Sequence, residues 1–329
     1  MRRSGKVSLI VIAVLALVLA LALVGYRSDI RQARAAVEGA PVAATSAGPI
    51  EYSEAGRGMP VLSIHGAGGG WDQGLANVVD VFDAGFRVIA PSRFGYLGTP
   101  LPDDTSVSAQ ADAHAALLSA LAVDRAVVVG VSAGARSALE LALRHPDRVS
   151  ALILIVPGTY APDSPVAIED SRGSALAFRL VNAGADFTWW AVEKIAPSTL
   201  VRFLGVEPAL LDTASPEERD AVLDVVRNVQ PLSRRVAGIN LDSKPDAARP
   251  PLERIAVPAL IVTARDDLFN TLPAAEFAAD MIPGAELVAY DTGGHLLVGH
   301  GEALRRLVRE FLARAGIAAE SVGGGGAGG

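Results

Sequence analysis

The chain contains no cysteine. That absence excludes a disulfide scaffold, a thiolate zinc site, an iron–sulfur cluster, a thiol nucleophile and a lipidated N-terminal cysteine. An excess of basic charge is also missing: 29 Lys plus Arg stand against 36 Asp plus Glu, a net charge of −7. Binding a polyanion depends on clustered cations that release counterions from phosphates, so nucleic acid is excluded as the partner such a composition would serve. No Gly-Lys-Ser/Thr phosphate loop occurs. Charged residues are only 20% of the chain and apolar ones 50%, the balance of a folded protein. At about 150 residues per domain, 329 residues make two units, or one large α/β domain carrying an insertion.

The N-terminus is read as a membrane segment. Arg2, Arg3 and Lys6 precede an apolar run from Val7 to Val24, interrupted only by Ser8. As a helix these 18 residues rise about 27 Å, close to the thickness of a bilayer's hydrocarbon core. Leader peptides have apolar regions of about 7–15 residues followed closely by a small-x-small site. Here Ala33-Arg34-Ala35 lies well beyond the run, so the expectation is a retained anchor, with secretion after cleavage as the alternative. The basic flank is matched by Arg27, Arg31 and Arg34, and the N-terminal amine tips the count inward, placing the rest of the chain outside the cytoplasm. Ala35–Gly48, rich in Ala, Gly, Ser and Pro, reads as a tether, and Gly323–Gly329 as a disordered tail.

Between these ends, short β-branched runs end at turn residues: Pro60–Ile64, Phe86–Ala90, Ala126–Val131, Val149–Val156 and Ala259–Thr263. Helical patterns alternate with them at Ser106–Leu121, Ala133–His145, Pro273–Met281 and Gly301–Ala315. Such alternation defines a mostly parallel, doubly wound α/β sheet, whose ligands sit beyond the carboxyl ends of the strands. From Pro157 to about Pro250 the alternation stops, and helical patterns at Ala175–Ala183, Phe187–Lys194 and Pro216–Val229 read as a helical insertion.

The chemistry follows the strands. Gly130-Val131-Ser132-Ala133-Gly134 links a strand directly to a helix, a turn that projects the Ser132 hydroxyl above the sheet. The competing role for this serine is a helix N-cap. His65-Gly66-Ala67-Gly68-Gly69-Gly70-Trp71 is a glycine-rich loop whose amides can approach a developing oxyanion, and the amides of Ala67 and Ala133 are assigned as its donors. A dinucleotide loop would need glycine where Trp71 stands. A serine nucleophile needs a base, normally histidine. Of five histidines, His65 belongs to the glycine loop, His114 to a helix, His145 precedes Pro146 and His300 starts a helix. His295 follows the apolar stretch Ala285–Tyr290 and the pair Gly293-Gly294, and is the candidate base. Either Asp266 or Asp267, both after the strand 259–263, satisfies the chain order nucleophile, acid, histidine; the other is then a solvated loop carboxylate.

With these motifs in order, the chain resembles the α/β-hydrolase superfamily over Pro49–Pro157 and Pro250–Ala315. The family's acid loop reads Gly-x-x-Asp; Ala264-Arg265-Asp266-Asp267 matches with Ala for Gly and selects Asp267. One departure is Ser92-Arg93-Phe94-Gly95-Tyr96-Leu97-Gly98-Thr99, where the family commonly has Asp-x-x-Gly-x-Gly-x-Ser. The resemblance implies an α/β-hydrolase fold with a core at 49–157 and 251–318 and a helical cap at 158–250; composition divides the remainder into a basic terminus (1–6), a transmembrane helix (7–24), a linker (25–48) and a disordered tail (319–329). Serine at 132, rather than the aspartate of dehalogenases and epoxide hydrolases, implies acyl chemistry: Ser132 attacks an ester carbonyl, His295 is the base and Asp267 orients it. That chemistry calls for no metal and no organic cofactor. The cap's Phe178, Phe187, Trp189 and Trp190, with Trp71, are candidate contacts for a small apolar ester. Carbon–carbon bond hydrolysis, perhydrolysis or acyl transfer by the same triad, and a non-catalytic binding role, are the alternatives.

Overall fold

The computed structural model describes residues 2–78, 80–82, 85–162, 185–244 and 248–317, with residues 2–10 as backbone. Helix α1 (Arg2–Ala36) leads into strands β1 (Val42–Thr45), β2 (Gly48–Gly56) and β3 (Gly58–Ile64). Then come α2 (Trp71–Ala76), β4 (Gly85–Pro91), α3 (Val107–Ala120), β5 (Ala126–Val131), α4 (Gly134–Arg144) and β6 (Val149–Ile155). The insertion carries α5 (Asp186–Ile195), α6 (Pro197–Phe203), α7 (Leu210–Thr213), α8 (Pro216–Asn228) and α9 (Val236–Asp242). The chain returns to the sheet with β7 (Ala259–Ala264), α10 (Leu272–Met281), β8 (Glu286–Tyr290) and α11 (Gly301–Arg314).

The eight strands form one sheet in the order β1-β2-β4-β3-β5-β6-β7-β8, parallel from β4 to β8 and antiparallel at β1/β2 and β2/β4. Successive side chains of a strand point to opposite faces, and both faces here are covered, so the central strands are predominantly apolar, with single polar residues such as Ser63 and Thr263. Val128, Leu152, Leu154 and Ile261 pack with α3, α4 and α10 on one face. Val127, Val129, Ile153 and Val262 pack with Leu304, Val308 and Phe311 of α11 on the other. The insertion has its own core, including Trp189, Leu200, Val226 and Ile239. Local sequence sets the helix starts: Ser106 accepts from the Ala109 amide ahead of α3, and Ser215 with Glu218 forms a reciprocal cap ahead of α8, where Pro216 occupies the first turn.

One expectation about the elements changes. The segment 25–48 is not a linker: α1 runs on to Ala36, Ile30 and Val37 are buried, and 42–45 pairs with β2 as an edge strand. Its order comes from main-chain pairing and from packing against distant residues, which a composition of small residues does not reveal. β2 was likewise unmarked, because an edge strand that carries Gly, Pro and Glu lacks a β-branched run. The pattern at Ala175–Ala183, Phe178 and the tail 319–329 lie outside the described residues.

Candidate active site

The turn after β5 forces Ser132 into a left-handed conformation, φ 51°, unusual for a residue with a side chain. Three main-chain bonds hold it there: Ser132 N donates to Ile155 O at 2.9 Å, and Ser132 O accepts from Ala135 N and Gly158 N, both at 3.0 Å. The flanking glycines are sterically required. A Cβ on Gly130 would stand 2.6 Å from the Ala138 Cβ, and one on Gly134 2.5 Å from the carbonyl oxygens of Ile64 and His65. The sequence thereby brings α4 close against β5 and the glycine-rich loop, with the serine at the tip.

His295 reaches Ser132 from the loop after β8. Its Nε2 lies 2.8 Å from Ser132 Oγ and its Nδ1 2.7 Å from Asp267 Oδ2. Gly293 and Gly294 both have positive φ, the bend that turns the imidazole back over the sheet. Asp267 is buried, and it also accepts from the Phe269 amide at 2.8 Å and from the Thr271 hydroxyl, which meets Thr263. Burial alone would raise its carboxyl pKa; the His295 charge, the His295 hydrogen bond and the Thr271 and Phe269 donors together hold it below the ordinary aspartate value. Asp266, one position earlier, is not a solvated carboxylate: it accepts from the amides of Gly294 at 2.8 Å and Gly293 at 3.2 Å, fixing the histidine loop.

A cavity of about 150 Å³ opens at this point, bordered by Gly66, Ala67, Ser132, Ala133 and His295 and roofed by Trp189, Phe203, Leu204, Val225, Val229 and Ile239 of the insertion. Among the described residues, neither the Ala67 nor the Ala133 amide donates in a turn, loop or side-chain hydrogen bond, so both are available to an oxyanion. Of the three tryptophans expected at the pocket, Trp189 lines it and donates Nε1 to Val226 O at 3.0 Å. Trp190, about 100° further round α5, points elsewhere, donating to Asp29 Oδ2 of α1 at 2.9 Å. Trp71 also lies off this cavity; it opens α2 and its amide donates to Ser92 Oγ. Phe187 packs edge-on against Tyr26.

Beneath the glycine loop lies a buried network that sequence reasoning missed. Arg93 donates through both terminal nitrogens to Asp242 of α9, at 2.7 and 2.5 Å, and through Nε to His65 O at 2.9 Å. Tyr96 donates to Asp242 Oδ2 at 2.5 Å and accepts from the Gly68 amide at 3.3 Å. His65 accepts the Arg93 amide at Nε2, which leaves Nδ1 to donate to Gly66 O at 2.7 Å. Burial and the neighbouring Arg93 charge push the His65 imidazole well below its ordinary pKa, so it stays neutral. Burial alone would weaken Arg93 as a base; Asp242 outweighs it and keeps the guanidinium charged. The insertion is therefore wired to the glycine-rich loop. The signal was the Ser92–Thr99 departure itself: Ser92 donates to the buried Glu51 at 2.9 Å instead of supplying a carboxylate. The insertion also holds His295, since Gly205 O accepts from His295 N at 3.1 Å. Among the described residues no group of three or more His, Asp or Glu side chains is placed to hold a metal ion.

Comparison with known proteins agrees with this architecture. Residues 59–301 match the model of the alpha/beta hydrolase fold family. The chain is 29% identical over 278 residues to 2-hydroxy-6-oxo-6-phenylhexa-2,4-dienoate hydrolase of Burkholderia cepacia, covering 80% of this chain and 91% of that one. It is 31% identical over 257 residues to pimeloyl-[acyl-carrier protein] methyl ester esterase of Aromatoleum aromaticum, covering 77% and 97%. An alpha/beta hydrolase fold protein from Nakamurella multipartita superposes with a TM-score of 0.67 at 31% identity, over 84% of this chain and all of that one. The chain belongs to the α/β-hydrolase family, and with relatives that include carbon–carbon bond hydrolases and esterases it is a hydrolase.

Proposed function

We propose that the chain is a serine hydrolase that cleaves small apolar carboxylic esters and is held at a membrane by α1. The observation that carries the catalytic reading is His295 standing between Ser132 and Asp267 at 2.8 and 2.7 Å. In this reading the Ser132 proton passes to His295 Nε2 as Oγ bonds to the ester carbonyl carbon, and the Nδ1 proton stays hydrogen-bonded to ionised Asp267. The carbonyl oxygen becomes an oxyanion facing the Ala67 and Ala133 amides; one such donor is worth about 2.7–4 kcal/mol. Collapse returns the proton from Nε2 to the departing alkoxide and leaves an acyl-serine. Water, deprotonated by the same imidazole, then releases the acid and restores Ser132.

The ester reading is supported by the cavity wall, which is apolar where the insertion roofs it. At about 150 Å³ the cavity is smaller than the roughly 300–1,000 Å³ of sites for drug-sized ligands, which suits a short acyl group. Carbon–carbon hydrolysis is the second reading, favoured by the dienoate-hydrolase relative. A dienoate is an anion, and Arg136 is the cation on the cavity wall; its guanidinium is engaged by the carbonyls of Gly158, Asp242 and Lys244. We expect kcat/KM on p-nitrophenyl acetate and butyrate to exceed that on a 2-hydroxy-6-oxodienoate by at least about 10²-fold, since a carboxylate entering this mostly apolar cavity is desolvated beside a guanidinium whose N–H groups already serve carbonyls. A preference for the dienoate would replace the ester reading with the second one.

The membrane reading is supported by α1, long and apolar enough over Val11–Ala36 to span a bilayer or to serve as a signal sequence. A retained anchor with an extracytoplasmic catalytic domain is the form proposed.

A further inference from the structure

α1 is one unbroken helix with two halves of opposite character. Along its first half large apolar side chains stand in the open, with Leu15 and Leu21 each 63% exposed and Val24 65%. Its second half is fastened to the insertion. The Trp190 indole lies 3.4 Å from where a Gly25 Cβ would be, and the Tyr26 ring meets Phe187 and Trp190 at 5.2 and 5.7 Å between centroids. Asp29 accepts from Trp190 Nε1 at 2.9 Å and pairs with Lys194 at 3.1 Å, and Arg34 pairs with the buried Asp186 at 3.3 Å.

From this geometry we infer that the cap is seated on a phospholipid surface, with α1 setting its height and Tyr26, Phe187 and Trp190 lying at the headgroup level. The inference rests on the anchor reading above and adds to it a lipid-facing surface on a different part of the chain. The argument is one of distance. Tyr26 stands two residues past the apolar run that ends at Val24, a rise of about 3 Å along the axis. The ring separations of 5.2 and 5.7 Å add to that rise, so the rings that touch Tyr26 lie within about 9 Å of the hydrocarbon boundary. Phe187 and Trp190, more than 160 positions away in sequence, are brought to that level by the docking of α5. Trp and Tyr favour this layer because an apolar ring and a polar tip are both satisfied there. Trp190 enters it with its N–H already bound by Asp29, and Phe187 remains 41% exposed, its free edge available to acyl chains. Just beyond Tyr26, Arg27 and Arg31 are exposed at the depth of lipid phosphates. The neighbouring Trp189 lines the catalytic cavity, so α5 is the wall between bilayer and active site, and an ester dissolved in lipid reaches the enzyme along it.

The test uses the full chain in phosphatidylcholine–phosphatidylglycerol vesicles whose acyl chains are brominated near the headgroup, a short-range quencher of indole emission. Retention on the vesicles in alkaline carbonate is measured in the same preparation, and turnover of a water-soluble ester is followed separately. The chain has three tryptophans, and the expected result is retention with quenching of one of them, a loss abolished in Trp190→Phe, which keeps a ring against Tyr26. Retention with the same quenching in wild type and Trp190→Phe overturns the seated cap while leaving the anchor; a protein contact covering this face would give that outcome. Release by carbonate overturns the anchor and the seat together, and soluble-ester turnover in either case reports on the catalytic reading alone.

Discussion

Asp266 and Asp267 stand side by side after β7, and the turn between them sends their carboxylates to different partners. Asp267 faces the imidazole; Asp266 ties down the two glycines before it. Asn at 267 presents an amide where Nδ1–H needs an acceptor and favours the wrong tautomer, so Asp267→Asn is expected to lower kcat by about 10⁴-fold with the fold intact. Asp266→Asn keeps one acceptor oxygen and loses about 1 kcal/mol of hydrogen bonding, so kcat stays within about tenfold. Steady-state rates on one ester, with circular dichroism as the folding control, separate the two. His114 supplies a second residue-scale prediction. It is buried on α3 beside Ser137, and burial followed by the Arg93 charge lowers its pKa from 6.5 to about 3. The unfolded chain therefore binds the proton first: its contribution to stability is complete above about pH 6.5 and is lost as pH falls towards 3. Thermal melts between pH 4 and 7 should fall more steeply with acid in wild type than in His114→Gln; equal slopes would contradict this.

At the scale of elements, the central strands and the helices α3, α4, α5, α8, α10 and α11 were legible in the sequence, to within a residue or two at each end. The reason is that β3 to β7 are largely buried on both faces and read as apolar runs broken only by single polar residues, while α3, α4 and α8 carry their own start or stop signals. The elements that were missed are the short helices α2, α6, α7 and α9, too brief for a helical period to show, and β1, β2 and the second half of α1, which are ordered by partners far away in the chain. The site divides in the same way. Ser132, Ala67, Ala133 and His295 follow strands in recognisable loops, whereas Asp242 lies 149 positions from the Arg93 it neutralises. Such pairs are invisible to spacing. Asp242→Asn leaves a buried guanidinium without its counter-charge, a loss of about 3–5 kcal/mol. Urea unfolding should show that drop, with retention of wild-type stability as the contradicting result.

On the scale of the whole molecule, the sheet supplies the chemistry and the insertion supplies its surroundings. Ser132, His295 and Asp267 come from loops after β5, β8 and β7, while Gly205 and Asp242 of the insertion hold His295 and the network beneath the glycine-rich loop. The insertion in turn rests on α1, so the apolar helix, the roof of the cavity and Ser132 form one connected structure. The central claim is that Ser132 is an activated nucleophile, and a fluorophosphonate probe tests it most directly. Intact-mass and peptide analysis should find one adduct per chain, on Ser132, absent from both Ser132→Ala and His295→Ala. An unlabelled wild-type chain, under conditions that label a known serine hydrolase, or an adduct on any other serine, would contradict it.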